Sequence, residues 1–145
     1  MMTLAPRALT GSFPPLVTPF RNGSVDYESY ARLVDHQIAN GTHGIVVNGT
    51  TSEPTSLTLD ERNRLVKTAV EVAAGRIPIV AQTGSQSHAE TVALTEFANG
   101  AGVDAIMVLT PFFIRAPQRG VVAYFEDIAG RTELPVLMYH IPGRS

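Results

Sequence analysis

Four short apolar runs punctuate the chain: Gly44-Ile-Val-Val-Asn48, Ile77-Pro-Ile-Val-Ala81, Ala105-Ile-Met-Val-Leu109 and Pro135-Val-Leu-Met-Tyr139. Each is continuous rather than alternating and rich in branched residues, the pattern of strands buried on both faces of a parallel sheet. They begin at positions 44, 77, 105 and 135, and a strand–helix–strand unit needs roughly 30 residues. An earlier run, Ser12-Phe-Pro-Pro-Leu-Val-Thr18, is a candidate first strand, weakened by two prolines that cannot donate to a ladder.

The intervals carry a helical period. Tyr27, Tyr30, Ala31, Val34 and Ile38 fall on one stripe, with Asp26 as the expected N-cap. Leu59, Val66, Ala69, Val70 and Ala73 share a second face behind the capping box Thr58-Leu-Asp-Glu61. Ser87-His-Ala-Glu90 predicts the same box before Val92, Leu94, Phe97 and Ala98, and a fourth, less marked helix is expected over about Gln118 to Ala129. Ala39-Asn-Gly41 and Ala98-Asn-Gly100 echo one another, and both glycines are expected as helix C-caps.

Strands and helices that alternate without interruption imply a parallel α/β fold, either an open doubly wound sheet or a (β/α)8 barrel. The polar residues Asn48, Thr50, Thr51, Gln82, Thr83, Thr110, Tyr139 and His140 recur just after strand C-termini. In a barrel those positions converge on one mouth, where active sites are built. No glycine-rich phosphate loop follows the first run, which also favours the barrel over a flavodoxin-like sheet. Eight units need about 250 residues. The barrel reading therefore expects residues 1–145 to be a partial (β/α)8 domain of about five units, with its C-terminal remainder outside this chain.

Composition narrows the function. The 145 residues are 44% hydrophobic and 17% charged with a net charge of −2, so disorder is not the main description. No basic cluster marks a nucleic-acid surface, and no apolar window reaches the roughly 18 residues of a membrane span. Met1 to Thr10 lacks an apolar core of signal-peptide length, so a cytoplasmic location is expected. There are no cysteines, which excludes disulfides and thiolate chemistry. His36, His43 and His88 show no metal-ligand spacing, so no metal or cofactor is expected. A small-molecule substrate is the remaining class.

Four motifs carry a resemblance: Gly11-Ser-Phe-Pro-Pro-Leu-Val-Thr-Pro-Phe20, Gly49-Thr-Thr-Ser-Glu53, Leu109-Thr-Pro-Phe-Phe113 and Tyr139-His-Ile-Pro-Gly-Arg-Ser145. Their order and spacing over residues 11–145 resemble the dihydrodipicolinate synthase / N-acetylneuraminate lyase family of class I aldolases. The resemblance implies a (β/α)8 barrel, usually homotetrameric, that forms a Schiff base between a lysine and pyruvate or another 2-oxo acid. It also implies roles. Tyr139 would relay protons at the imine carbon with Thr50 as its hydroxyl partner. Thr51 and nearby amides would hold the 2-oxo acid carboxylate, and Arg144 would meet a carboxylate of the second substrate. A phenol passes protons without permanent charge, and a guanidinium offers a carboxylate a bidentate fork.

The chain also departs from the family pattern. The family's lysine lies on a sixth strand, and the single lysine here, Lys67, falls on the flank of an amphipathic helix. Phe113 stands where tyrosine is usual, Ser52 where glycine is usual, and His140 where the synthases carry asparagine. Phe113, with Phe112, is read as a wall of the substrate pocket, and His140, which follows Tyr139 at the mouth, as a substrate-binding candidate for which a structural and a catalytic role stand equally. Without the resemblance, Thr50 and Thr51 would read first as loop residues satisfying backbone groups, and Tyr139 as a core aromatic. A non-catalytic reading also stands, in which the chain only assembles with a missing half or with another copy, because an open sheet edge needs covering.

Overall fold

The computed structural model describes residues 9–143. Phe20–Arg21 (β1) and Ser24–Val25 (β2) form a small antiparallel hairpin. The chain then alternates Tyr27–Ala39 (α1), Ile45–Val47 (β3), Leu59–Ala73 (α2), Ile79–Gln82 (β4), His88–Ala101 (α3), Ala105–Leu109 (β5), Gln118–Ala129 (α4) and Val136–Tyr139 (β6). The main sheet is wholly parallel in the order β3-β4-β5-β6. Four sequential parallel strands, each followed or preceded by a helix, are the arrangement of the N-terminal part of a (β/α)8 barrel.

The candidate strand over Ser12–Thr18 does run parallel to β3, but only as an isolated bridge between Pro15 and Val46. Val46 donates to the Pro14 carbonyl at 3.1 Å and Leu16 donates to the Val46 carbonyl at 3.2 Å. Pro14 and Pro15 have no N–H to extend the ladder, which is why the strand goes no further.

Burial is greatest at the centre of the sheet. All four residues of β4 are buried, and Ile45, Val47, Ala105, Ile106 and Val108 are buried beside them. Tyr30 and Val34 of α1, Leu65, Val66 and Ala69 of α2, and Ala98 of α3 pack into the same core. A buried aliphatic side chain contributes roughly 1.5–3 kcal/mol relative to exposure, so this layer dominates the stability of the fold. Burial falls off at β6, where Leu137 and Met138 are 38% and 71% exposed.

The caps match the sequence in part. The Asp26 carboxylate accepts from the Ser29 N–H at 3.0 Å, and Thr58 and Glu61 form the full reciprocal box. At α3 only half of the expected box exists. The Ser87 hydroxyl accepts from the Glu90 N–H, but the Glu90 carboxylate turns instead to the Ser85 hydroxyl at 2.6 Å. Gly41 adopts the left-handed conformation expected of it (φ +79°), whereas Gly100 lies inside α3 and Gly102 (φ +83°) takes the cap. The hairpin was not foreseen, although its signal is in the sequence. Asn22 (φ +52°) and Gly23 (φ +81°) both occupy the left-handed region that tight hairpin turns demand.

Candidate active site at the strand C-termini

The loops after β3, β5 and β6, with the end of β4, gather around one cavity of about 460 Å³. Thr50 enters from the β3 loop, Gln82 from the end of β4, Phe112 and Phe113 from the β5 loop, and Ile141 and Gly143 from the segment after β6. β3 and β6 are the two outer strands of the four-stranded sheet. In a flat sheet they would stand roughly 14 Å apart, three strand spacings. Their loops meet on one cavity because the sheet curls.

The β3 loop is held by buried polar groups. Thr50–Ser52 forms a single 3-10 turn, with Thr50 and Thr51 exposed and Ser52 buried. The Ser52 hydroxyl donates to the Leu16 carbonyl at 2.5 Å, and the Thr18 hydroxyl donates to the Ser52 carbonyl at 2.8 Å. A glycine at 52 would lack the first of these bonds. Asn48, buried at φ +60°, donates through Nδ2 to the Arg62 carbonyl at 3.0 Å. Asparagine tolerates this left-handed geometry better than most residues.

Arg62 is the unexpected member. It is 4% exposed, and its Nη2 donates to the Gln82 side-chain Oε1 at 3.1 Å and to the carbonyls of Gln82 and Gly84 at 3.3 Å each. Burial pushes the guanidinium down to about 10, and the Glu90 carboxylate opposes that fall. A second cavity of about 800 Å³ lies on this side, lined by Arg62, Gln82, Ser85 and Glu90 among others. Gly84, which lines this larger cavity, is obligatory, since a Cβ there would sit 2.4 Å from the Leu109 nitrogen. The sequence did carry a signal for Arg62, because it falls on the α2 stripe of Val66, Ala69 and Ala73, the face that enters the core.

The β5 and β6 side is looser. Phe113 is 86% exposed at φ +63° and meets Phe112 edge to face at 5.2 Å. Thr110 donates its N–H to the Tyr139 carbonyl at 3.0 Å, and its hydroxyl lies 3.4 Å from His140 Nδ1. The Tyr124 phenol reaches beneath the loop, donating to the Leu109 carbonyl at 3.4 Å.

Of the six residues singled out from the sequence, Thr50 and Phe113 share the mouth cavity. Tyr139 ends β6 and His140 follows it, immediately before Ile141, one of the lining residues, while Thr51 lies beside Thr50 on the exposed side of its turn. Among the described residues no hydrogen bond joins the Tyr139 and Thr50 hydroxyls. Arg144 lies outside the described residues. Lys67 is exposed on α2, its ammonium 5.4 Å from the centre of the Phe97 ring.

Comparison with known proteins agrees with this architecture. The sequence model of the dihydrodipicolinate synthetase family matches residues 8–145. The 4-hydroxy-tetrahydrodipicolinate synthase of Rhodospirillum centenum is 45% identical over 135 residues, which are 93% of this chain and 46% of that protein. The structure of the 4-hydroxy-tetrahydrodipicolinate synthase of Methylacidiphilum fumariolicum superposes with a TM-score of 0.90 at 40% identity, covering 94% of this chain and 45% of the other. A dihydrodipicolinate synthase of Acinetobacter baumannii, solved with pyruvate bound, gives a TM-score of 0.89 at 39% identity over 93% of this chain and 47% of its own. The chain thus spans about half the length of the relatives it matches.

Proposed function

The chain belongs to the dihydrodipicolinate synthetase family, and on that premise we propose that it supplies the N-terminal part of a Schiff-base lyase acting on pyruvate or a related 2-oxo acid. 4-Hydroxy-tetrahydrodipicolinate synthase is the activity it fits best. The observation that carries this reading is the convergence of Thr50, Gln82, Phe113 and the segment after Tyr139 on one cavity at the strand C-termini, where barrel enzymes place their chemistry.

In the proposed mechanism a lysine amine adds to the ketone carbon of pyruvate and water leaves, giving an imine. Tyr139, paired with Thr50, moves a proton between the methyl carbon and solvent as imine and enamine interconvert. The Thr51 hydroxyl and neighbouring amides hold the carboxylate without cancelling the positive imine. Arg144 receives a carboxylate of the second substrate, and Phe113 and His140 wall the pocket. Lys67 is not the nucleophile in this reading; its exposed place on α2, outside the lining of the mouth cavity, supports that. The lysine therefore comes from sequence outside these 145 residues, and the chain alone is inactive. A cytoplasmic homo-oligomer is the working form.

Phe113 favours a second reading within the family. A phenyl group in place of the usual phenol removes one hydroxyl from the proton path, which suits an aldolase or dehydratase of divergent 2-oxo acid specificity.

The test fuses this chain to the remaining half of the Rhodospirillum centenum synthase and treats the product with pyruvate and borohydride. The expected result is one reduced pyruvate per chain, attached to a lysine of the added half, with no adduct on this chain by itself. An intact mass unchanged by the treatment would remove the mechanism.

A further inference from the structure

Gln82 is 3% exposed and lines both cavities. Its amide orientation is fixed by chemistry, because a guanidinium N–H only donates and the atom facing it must be an acceptor. The side-chain atom 3.1 Å from Arg62 Nη2 is therefore the oxygen. Arg62 lines only the larger cavity, so the oxygen is turned to that side. The amide nitrogen carries no hydrogen bond among the described residues. The nitrogen is not among the buried polar atoms that lack a partner, so its N–H reaches solvent beside the cavity and is open to an acceptor on a ligand.

We infer that Gln82 is a specificity-determining residue of the mouth cavity, whose amide N–H donates to a carboxylate oxygen of the ligand part that lies beyond the reacting 2-oxo acid. The cation behind it selects for anionic oxygen. Arg62 polarises the amide through Oε1, and a chain of polarised hydrogen bonds is stronger than its links taken singly. Glu53 is the only charged side chain among the described residues lining this cavity, and the positive potential relayed from Arg62 adds to the attraction for an anion there. The inference deepens the proposed function and rests on it for the identity of the reacting partner, while the geometry around Gln82 stands by itself.

The test uses the fused enzyme, with succinate as an inert carboxylate probe followed by calorimetry. Gln82→Glu keeps an oxygen for Arg62 and removes the donor, so folding is preserved while recognition is lost. Gln82→Leu removes both and serves as the harsher comparison. Succinate is expected to bind the parent and to weaken about tenfold in Gln82→Glu, while the trapping of pyruvate imine is read on the parent alone. Equal binding by parent and variant, or no binding by the parent, overturns the inference. Failure of trapping alongside a tenfold loss of succinate binding would overturn the lyase reading and leave this one supported.

Discussion

On the β3–β4 side of the mouth, Asn48, Ser52 and Arg62 are all buried, and each donates a hydrogen bond to a backbone carbonyl of a different segment. On the β5–β6 side, Phe113, Ile114 and Met138 are 86%, 49% and 71% exposed, and Tyr139 is fastened through its backbone carbonyl. The first side is a pinned frame and the second an open edge. Buried carbonyls need partners wherever loops cross the end of a sheet, and the pinned side meets that need with side chains from its own elements. Both sides hold left-handed non-glycine residues, Asn48 and Glu53 on one and Phe113 on the other. Only Asn48 has a side-chain hydrogen bond that accompanies its geometry.

If the proposed function holds, the open side supplies the proton relay through Tyr139 and the pinned side the stability of the mouth, and Tyr139→Phe tests the first of these most strongly. Removing the phenolic hydroxyl from the fused enzyme is expected to lower kcat by about a thousandfold, the usual scale of a lost proton-transfer group. The urea midpoint should stay within about 0.5 kcal/mol of the parent, because that hydroxyl bonds to no described residue. A large loss of stability with retained turnover would reverse the assignment.

Arg62→Leu tests the other half. The substitution strips three acceptors of their donor in the interior, and breaking a buried charged hydrogen-bond set costs roughly 3–5 kcal/mol. The lost burial penalty of the cation, visible in its lowered proton affinity, offsets part of this. A net destabilisation of about 3 kcal/mol is therefore expected, read as a lower urea midpoint. A neutral result would mean that the β3–β4 frame is held by apolar packing alone.

Much of this division was legible in the residues. β5 and α4 lie where the apolar run and the periodicity put them, and the Asp26 and Thr58 caps are where their side chains predicted. These features depend on neighbours within a few positions. What escaped depends on partners far along the chain. Arg62 falls on the core-facing stripe of α2, but its partners become visible only when the end of β4 and the loop after it present Gln82 and Gly84, twenty or more residues later. Gly100 follows an Ala-Asn pair as Gly41 does, yet α3 runs on through it to a left-handed turn at Gly102. Glu90 offers the spacing of a capping box but is taken by the Ser85 hydroxyl of the preceding loop. The Thr50 and Phe113 convergence was legible because strand C-termini share one end of a parallel sheet. Gln82 was visible as a strand-end polar residue, and only Arg62 behind it fixes which of its atoms faces the cavity.

The smallest expected effect is the most diagnostic of the open edge. Phe113 sits at φ +63°, where a side chain costs roughly 1–2 kcal/mol, so Phe113→Gly removes strain. Glycine also enlarges the unfolded ensemble, at roughly 0.4–1 kcal/mol, and the edge-to-face contact with Phe112 is lost, roughly another 0.5 kcal/mol. The contributions oppose one another, and the net change in the fused enzyme should stay within about 0.5 kcal/mol. The same reasoning applied to Asn48 would give a clear loss, because its strain is coupled to a buried hydrogen bond that glycine cannot make. If Phe113→Gly destabilises by 2 kcal/mol or more, on the order of a buried core truncation, then Phe113 is packed in solution against something these residues do not supply. The β5–β6 side would in that case be a second frame, and the contrast between the two sides of the mouth would fail.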